Sequence, residues 1–146
     1  MVRIRPSRAE DFADLLDIWR RSVRATHHFL AEKDFVEIEA LVATSYLPSN
    51  TVWVAVNEAG RPLGFMGLSQ AHIDTLFVDP DMRGQGVGTL LIDHAQERAD
   101  TLTVDVNEQN DQAVGFYQHR GFCRIGRSDV DGDGRSYPLL HLRRAG

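Results

Sequence analysis

At 146 residues, with 42% hydrophobic and 25% charged residues, the chain has the composition of one soluble globular domain spanning 1–146. Its net charge of −5 disfavours nucleic acid as a general partner and suits cationic substrates. A single cysteine, Cys123, excludes an internal disulfide framework, and no signal-peptide core or membrane-length apolar run is present, so a cytoplasmic protein without a membrane partner is expected.

Val2 to Arg5 alternates as a short strand, with Val2 and Ile4 on one face. Ser7 and Glu10 have the spacing of a capping box. Phe12, Leu15, Leu16, Trp19 and Val23 then recur at helical spacing, leaving Asp14, Asp17, Arg20, Arg21 and Arg24 for the wet face. A second helix is expected over Asp34 to Thr44, carried by Phe35, Ile38, Leu41 and Val42. Between the two lies Ala25 to Leu30. There the pair His27 and His28, followed by Phe29, either lines an acceptor pocket or is a plain connection.

Beyond Pro48 the pattern changes to strands. Val52–Asn57 and Leu63–Ser69 read as two strands joined by a turn, and Ile73–Val78 as a third. Gly64 and Gly67 inside the second mark a bulge or a close packing contact. A helix follows from Val87 to Arg98, with Leu90, Leu91, Ile92 and Ala95 as its buried side. Leu102–Val106 is the next strand, parallel to Ile73–Val78 if the crossover is right-handed. Asn110 caps a helix over Asp111–Arg120, which Gly121 ends. Phe122–Ser128 and Ser136–Arg143 close the chain as a hairpin. The expected class is α/β (α+β): a mixed, mostly antiparallel sheet of six to seven strands with about four helices.

The stretch that organises the chain is Leu76 to Ile92. An apolar strand ends in Asp79-Pro80, glycines stand at 84, 86 and 88, and a helix starts at Val87. Open amides at a helix N-terminus, with the positive end of its dipole, form an anion site. Three glycines in five residues imply close approach of a ligand to the backbone over Arg83 to Thr89. The alternative is an ordinary turn before a helix. The spacing is G-x-G-x-G, not the dinucleotide G-x-G-x-x-G, and no Lys-Ser/Thr follows as in a P-loop.

Other chemistry finds little support in the sequence. Asp129 to Gly134 opens like a calcium loop, but the position for its bidentate glutamate is Leu140, and Asp-Gly pairs between strands signal a hairpin. Six histidines show no zinc-ligand spacing, so no metal is expected. No G-x-S-x-G elbow is present, and Cys123 at a strand start reads as structural.

Arg83-Gly84-Gln85-Gly86-Val87-Gly88 resembles the R/Q-x-x-G-x-G/A signature of the Gcn5-related N-acetyltransferase superfamily. Asn110, Ala113, Tyr117, Gly121 and Phe122 match its second element, N-x-x-A-x-x-x-Y-x-x-x-G-F, in the right order. The chain is most similar to the small bacterial YjaB-type members, through Ser22–His27, Trp53–Glu58 and Tyr137–Leu140.

The resemblance implies an acetyl-CoA-dependent transfer to a primary amine, on a small molecule or on a protein lysine or N-terminus. The pyrophosphate would lie over Arg83, Gly84, Gln85, Gly86, Val87, Gly88 and Thr89, and the pantetheine arm beside Leu76, Phe77 and Val78, met by Asn110. Tyr117 matches the family's general acid. His72 falls where some members carry a catalytic glutamate, and Asp74, on the same face of a regular strand, would orient it or relay through water. Ordered water is the alternative base. A catalytically weak, acetyl-CoA-binding regulatory module and a phosphometabolite-binding protein are the competing functions; the second leaves Asn110–Phe122 unexplained. Monomer and homodimer are both compatible with the sequence.

Overall fold

The computed structural model describes all 146 residues, Met1 to Gly146. Seven strands form one sheet: β1 (Arg3–Pro6), β2 (Trp53–Val56), β3 (Pro62–Ser69), β4 (His72–Val78), β5 (Thr101–Asn107), β6 (Cys123–Ser128) and β7 (Leu139–Ala145). Their spatial order is β1-β2-β3-β4-β5-β7-β6. Neighbours are antiparallel except β4 and β5, which run parallel as the intervening helix leads one to expect. The helices are α1 (Phe12–Thr26), α2 (Glu32–Leu41), α3 (Leu47–Ser49), α4 (Val87–Gln96) and α5 (Asp111–His119).

Each sheet face carries its own core. Alternation in β2 sends Val54 and Val56 to one face and Ala55 to the other. On the first face Leu15, Ile18, Trp19 and Val23 of α1 and Phe35 of α2 pack on Val54, Val56 and Phe65. On the second, Val87, Leu91, Ile92 and Ala95 of α4 and Tyr117 of α5 pack on Ala55, Met66, Leu102 and Val104. Apolar burial on both faces is the main term that holds the helices down.

Several local expectations are corrected. Ser7 is not a cap: its Oγ accepts from Val52 N at 3.0 Å, tying the β1 end to β2. The amide of Arg8 is instead satisfied by Asp11 at 2.8 Å, and Asp11 also takes both ends of the Arg5 guanidinium at 2.7 and 2.9 Å. Leu41 and Leu90, expected in the core, are 48% and 42% exposed. The contact stripe of α4 runs through Val87, Leu91, Ile92 and Ala95, which turns Leu90 outward. The second helix starts earlier than expected and continues through a π-helical turn at Val42–Tyr46 into α3. The last strand is offset toward the C-terminus, at Leu139–Ala145.

The feature that opens the functional cleft is the way β4 and β5 part. Only His72–Thr103 and Ile73–Val104 are paired, although the strands run on to Val78 and Asn107. Opposite β3, Gly67 pairs with Thr75 and Leu68 with Ile73, so Asp74 is an extra, bulged residue. Bulges bend and twist a strand, and here the bend falls where the two strands separate. The site is pinned by Gly67, where a Cβ would overlap the Tyr46 hydroxyl. Thr75 Oγ1 bonds Gly67 N at 3.0 Å and the Tyr46 hydroxyl at 3.1 Å. Both readings of the β3 glycines therefore hold: Gly67 borders a bulge, and a Cβ on Gly64 would stand 2.9 Å from Phe77 O.

Candidate active site

β4 leads directly into the glycine loop. Asp79 N donates to Leu63 O at 2.8 Å, and the Asp79 carboxylate accepts from Asp81 N at 2.9 Å, starting a single 3-10 turn at Pro80–Met82. Arg21 of α1 grips the same carboxylate with both terminal nitrogens at 2.8 Å. Arg21 is thus not merely on a wet face. Asp79 is 5% exposed, and the Arg21 side chain holds its carboxyl below the ordinary range.

Past this anchor, Gly84 and Gly86 adopt φ of 79° and 82°, the left-handed region that favours glycine. The first bond of α4 is Leu90 N to Gly86 O at 3.0 Å. The amides of Gly84, Gly86, Val87, Gly88 and Thr89 donate to no backbone group. That is a row of open donors at the positive end of a ten-residue helix. Gly88 has a different reason from the one expected. A Cβ there would come 2.8 Å from the Phe116 ring, so Gly88 admits α5 to α4.

A cleft of about 400 Å³ runs from this loop along β4 to α5. Eleven of the expected donor-site residues line it: Leu76, Phe77, Val78, Arg83, Gly84, Gly86, Val87, Gly88, Thr89, Asn110 and Tyr117. Gln85 is exposed and does not. Ser22, Thr26 and Gln112 line it without having been expected, as does Arg120. Arg120 Nε donates to Thr89 Oγ1 at 2.7 Å, its Nη1 donates to Phe116 O at 3.1 Å, and the guanidinium lies 3.9 Å from the Phe116 ring centroid. A second cation is thereby fixed beside the loop. Its only sequence signal was a basic residue immediately before Gly121-Phe122.

Asn110 caps α5, its side-chain oxygen accepting from Ala113 N at 3.2 Å. That places Tyr117, two turns on, with its ring between Phe116 and Phe122, each at 5.3 Å between centroids. Tyr117 is 6% exposed, lines the cleft, and its hydroxyl is engaged by no protein group. Burial pushes the phenol above its ordinary value, so it carries its proton throughout the physiological range.

His72 and Asp74 lie apart from this cleft. His72 keeps its register against Ser69 of β3 and Thr103 of β5, while the bulge leaves Asp74 without a partner on β3. His72 Nδ1 bonds Thr103 Oγ1 at 2.8 Å, and its Nε2 is 3.7 Å from Asp105. Asp105 accepts from His141 Nδ1 at 2.6 Å, and the other nitrogen of that ring is 2.6 Å from Ser128 Oγ. Asp74 bonds Ser69.

The three residues of the first interhelix segment separate. His28 is exposed. Phe29 lines a second cavity of about 130 Å³, with Trp19, Leu30, Asp131 and Tyr137. His27 lines both this cavity and the cleft. No cluster of three or more His, Cys, Asp or Glu side chains is placed to hold a metal ion, and no helix is long and apolar enough to cross a membrane.

Comparison with known proteins fits this geometry. Residues 23–137 match the family model of the acetyltransferase (GNAT) domain. The chain is 53% identical to the peptidyl-lysine N-acetyltransferase YjaB of Escherichia coli, over 100% of this chain and 99% of that one. It is also 53% identical to the protein of the same name from Salmonella typhimurium, over 97% of each. The solution structure of apo-form YjaB from Escherichia coli superposes with a TM-score of 0.95, covering 100% of this chain and 99% of that one. The chain belongs to the Gcn5-related N-acetyltransferase family and is an acyltransferase that moves an acetyl group to an amine.

Proposed function

We propose that the cleft holds acetyl-CoA, that Tyr117 serves the departing thiolate, and that the acceptor is the side-chain amine of a protein lysine. The observation that carries this reading is the joining, in one cleft, of a free Tyr117 hydroxyl with the unengaged amides of Gly84, Gly86, Val87, Gly88 and Thr89. The amides, with Arg83 and Arg120, suit a pyrophosphate: the donors are fixed before binding, and both side chains are cationic. The edge of β4 at Leu76–Val78, left without a β5 partner, suits an extended amide-bearing arm through strand-like hydrogen bonding.

Bound acetyl-CoA supplies an activated acetyl thioester. Tyr117, protonated by virtue of its burial, donates a hydrogen bond to the sulfur as negative charge develops there. Asn110 and Phe122 hold α5 and the phenol in place. The wall of Phe77, Met82 and Phe116 keeps water from the reacting centre. A lysine acceptor is supported by the peptidyl-lysine acetylation for which relatives 53% identical over nearly the whole chain are named.

The test is incubation with acetyl-CoA and a panel of lysine peptides, free amines and blocked peptides, read by mass spectrometry. Acetyl-lysine should form on peptides. Acetylation restricted to free small amines would reassign the acceptor, and no acetyl-CoA consumption with any amine would end the transferase reading of this chain.

A further inference from the structure

The cleft and the smaller cavity have two lining residues in common, His27 and Phe77. Phe77 has no polar side-chain atom, so His27 is the one group on the shared wall able to take a proton. Its place is fixed at the end of α1, where its amide donates to Val23 O at 2.8 Å and its ring packs 5.2 Å from Phe29.

The hydrogen-bond network also fixes which nitrogen is free. Thr26 Oγ1 donates its hydrogen to Ser22 O at 2.8 Å. Toward His27 Nδ1, also at 2.8 Å, the hydroxyl can therefore only accept. Nδ1 carries the hydrogen, and the lone pair resides on Nε2. Nε2 is bonded to no protein group, nor is it sealed from solvent. Burial keeps the ring neutral, pushing its pKa down to about 4, with His28 adding a smaller push in the same direction.

We infer that His27, through Nε2, accepts the proton released by the acceptor amine, which enters from the smaller cavity and meets the acetyl donor at the wall the two cavities share. The apolar side chains of Trp19, Leu30 and Phe77 suit the methylenes of a lysine, and Asp131 gives the same cavity a carboxylate. The inference rests on the acetyl-transfer reading above and adds the base that reading leaves open.

The step balances. The amine lone pair forms the C–N bond while the carbonyl π pair moves to oxygen, and Nε2 takes a proton from the now positive nitrogen. Return of the oxygen pair breaks the C–S bond, and the thiolate takes the Tyr117 proton. His27 then gives its proton to solvent and Tyr117 recovers one, leaving amide and thiol. A weak base suffices, because nitrogen that has bonded to the acyl carbon is far more acidic than a free alkylammonium ion.

The test compares wild type with His27→Phe, which preserves size and burial, and with His27→Gln should the first variant not fold. Acetyl-CoA affinity and melting temperature establish that each variant is folded and loaded. Turnover at saturating lysine peptide should fall by about 10²–10⁴-fold, the usual yield of a positioned base, with a smaller change in KM for the peptide. A second readout is independent of activity: imidazole ¹⁵N NMR of the free protein should give the Nδ1–H tautomer for His27 at neutral pH. Unchanged turnover in a folded variant, or an Nε2–H tautomer or imidazolium at neutral pH, overturns the inference. Wild type that acetylates no amine would instead overturn the functional reading beneath it.

Discussion

Arg21 and Asp79 meet end-on, with both terminal guanidinium nitrogens 2.8 Å from the two carboxylate oxygens. The pair joins the middle of α1 to the first residue of the glycine loop, so the first helix and the anion site share one anchor. Arg21 is 34% exposed and Asp79 nearly buried, placing the pair between a surface ion pair worth up to ~1 kcal/mol and a buried one whose breaking costs about 3–5 kcal/mol. Arg21→Met should lower the unfolding free energy by about 2 kcal/mol in urea melts and weaken coenzyme A binding in calorimetry. A variant with unchanged coenzyme A affinity would show that the loop holds its shape without α1.

Two groups of side chains predict separate pH windows. Asp79 and Asp11 are held below their ordinary range, first by the hydrogen bonds from Arg21 and Arg5 respectively. Their contribution to stability is full above the unfolded value of ~3.9 and is lost as pH falls through the lower folded values. His27 is held neutral by burial with a value of about 4, and burial lowers His94 as well. The unfolded chain binds more protons than the folded one between ~6.5 and these lower values, so stability falls as pH drops across that window. Melting temperature followed from pH 7 downward should decline first in the histidine window. His27→Phe should flatten that part alone, and Asp79→Asn only the part below it.

The glycines of the loop should respond differently to alanine. Gly84 and Gly86 have open space around the would-be Cβ but positive φ, so alanine there incurs about 1–2 kcal/mol of backbone strain. Gly88 has helical backbone and a ring 2.8 Å from the would-be Cβ, so alanine there incurs about 1–3 kcal/mol of overpacking. Phe116→Leu should therefore rescue the stability of Gly88→Ala and leave Gly84→Ala and Gly86→Ala unrelieved. Equal rescue of all three, in thermal melts of the double variants, would contradict the separation.

Arg120 and Arg83 give a further contrast. Charge-assisted bonds are worth about 1.5–3 kcal/mol, so Arg120→Met should weaken coenzyme A binding by about 10–100-fold, less as salt is raised. Pantetheine, which lacks the pyrophosphate, should bind Arg83→Met, Arg120→Met and wild type alike. Loss of pantetheine affinity in Arg120→Met would place its role in packing against Phe116 instead.

Much of this architecture was legible because its signals are local. Helical spacing located α1 and α4, the β-branched and aromatic run at Val52–Val56 before a turn marked a strand, and Asn110 was readable as a cap. The two motifs, with the strand leading into the first, marked the donor side of the cleft from Leu76 to Tyr117. What escaped depends on contacts between distant segments. The bulge at Asp74 has no sequence signature of its own, yet it falls where β4 and β5 separate and takes Asp74 out of strand register. Arg21 looked like any other charge on a solvated face until the fold brought Asp79 to it across 58 positions. Gly88 was grouped with Gly84 and Gly86 by spacing, although its neighbour is Phe116. The segment at His27–Phe29 was ambiguous because two cavities meet there, and only His27 faces both.

Tyr117→Phe is the most direct measurement of the central claim. The variant removes one hydroxyl that no protein group engages and leaves the ring between Phe116 and Phe122. If Tyr117 donates to the leaving thiolate, turnover with a lysine peptide should fall by about 10²–10⁴-fold while the acetyl-CoA dissociation constant and the melting temperature stay close to wild type. Unchanged turnover in the folded, acetyl-CoA-loaded variant would make Tyr117 a core aromatic and contradict the account.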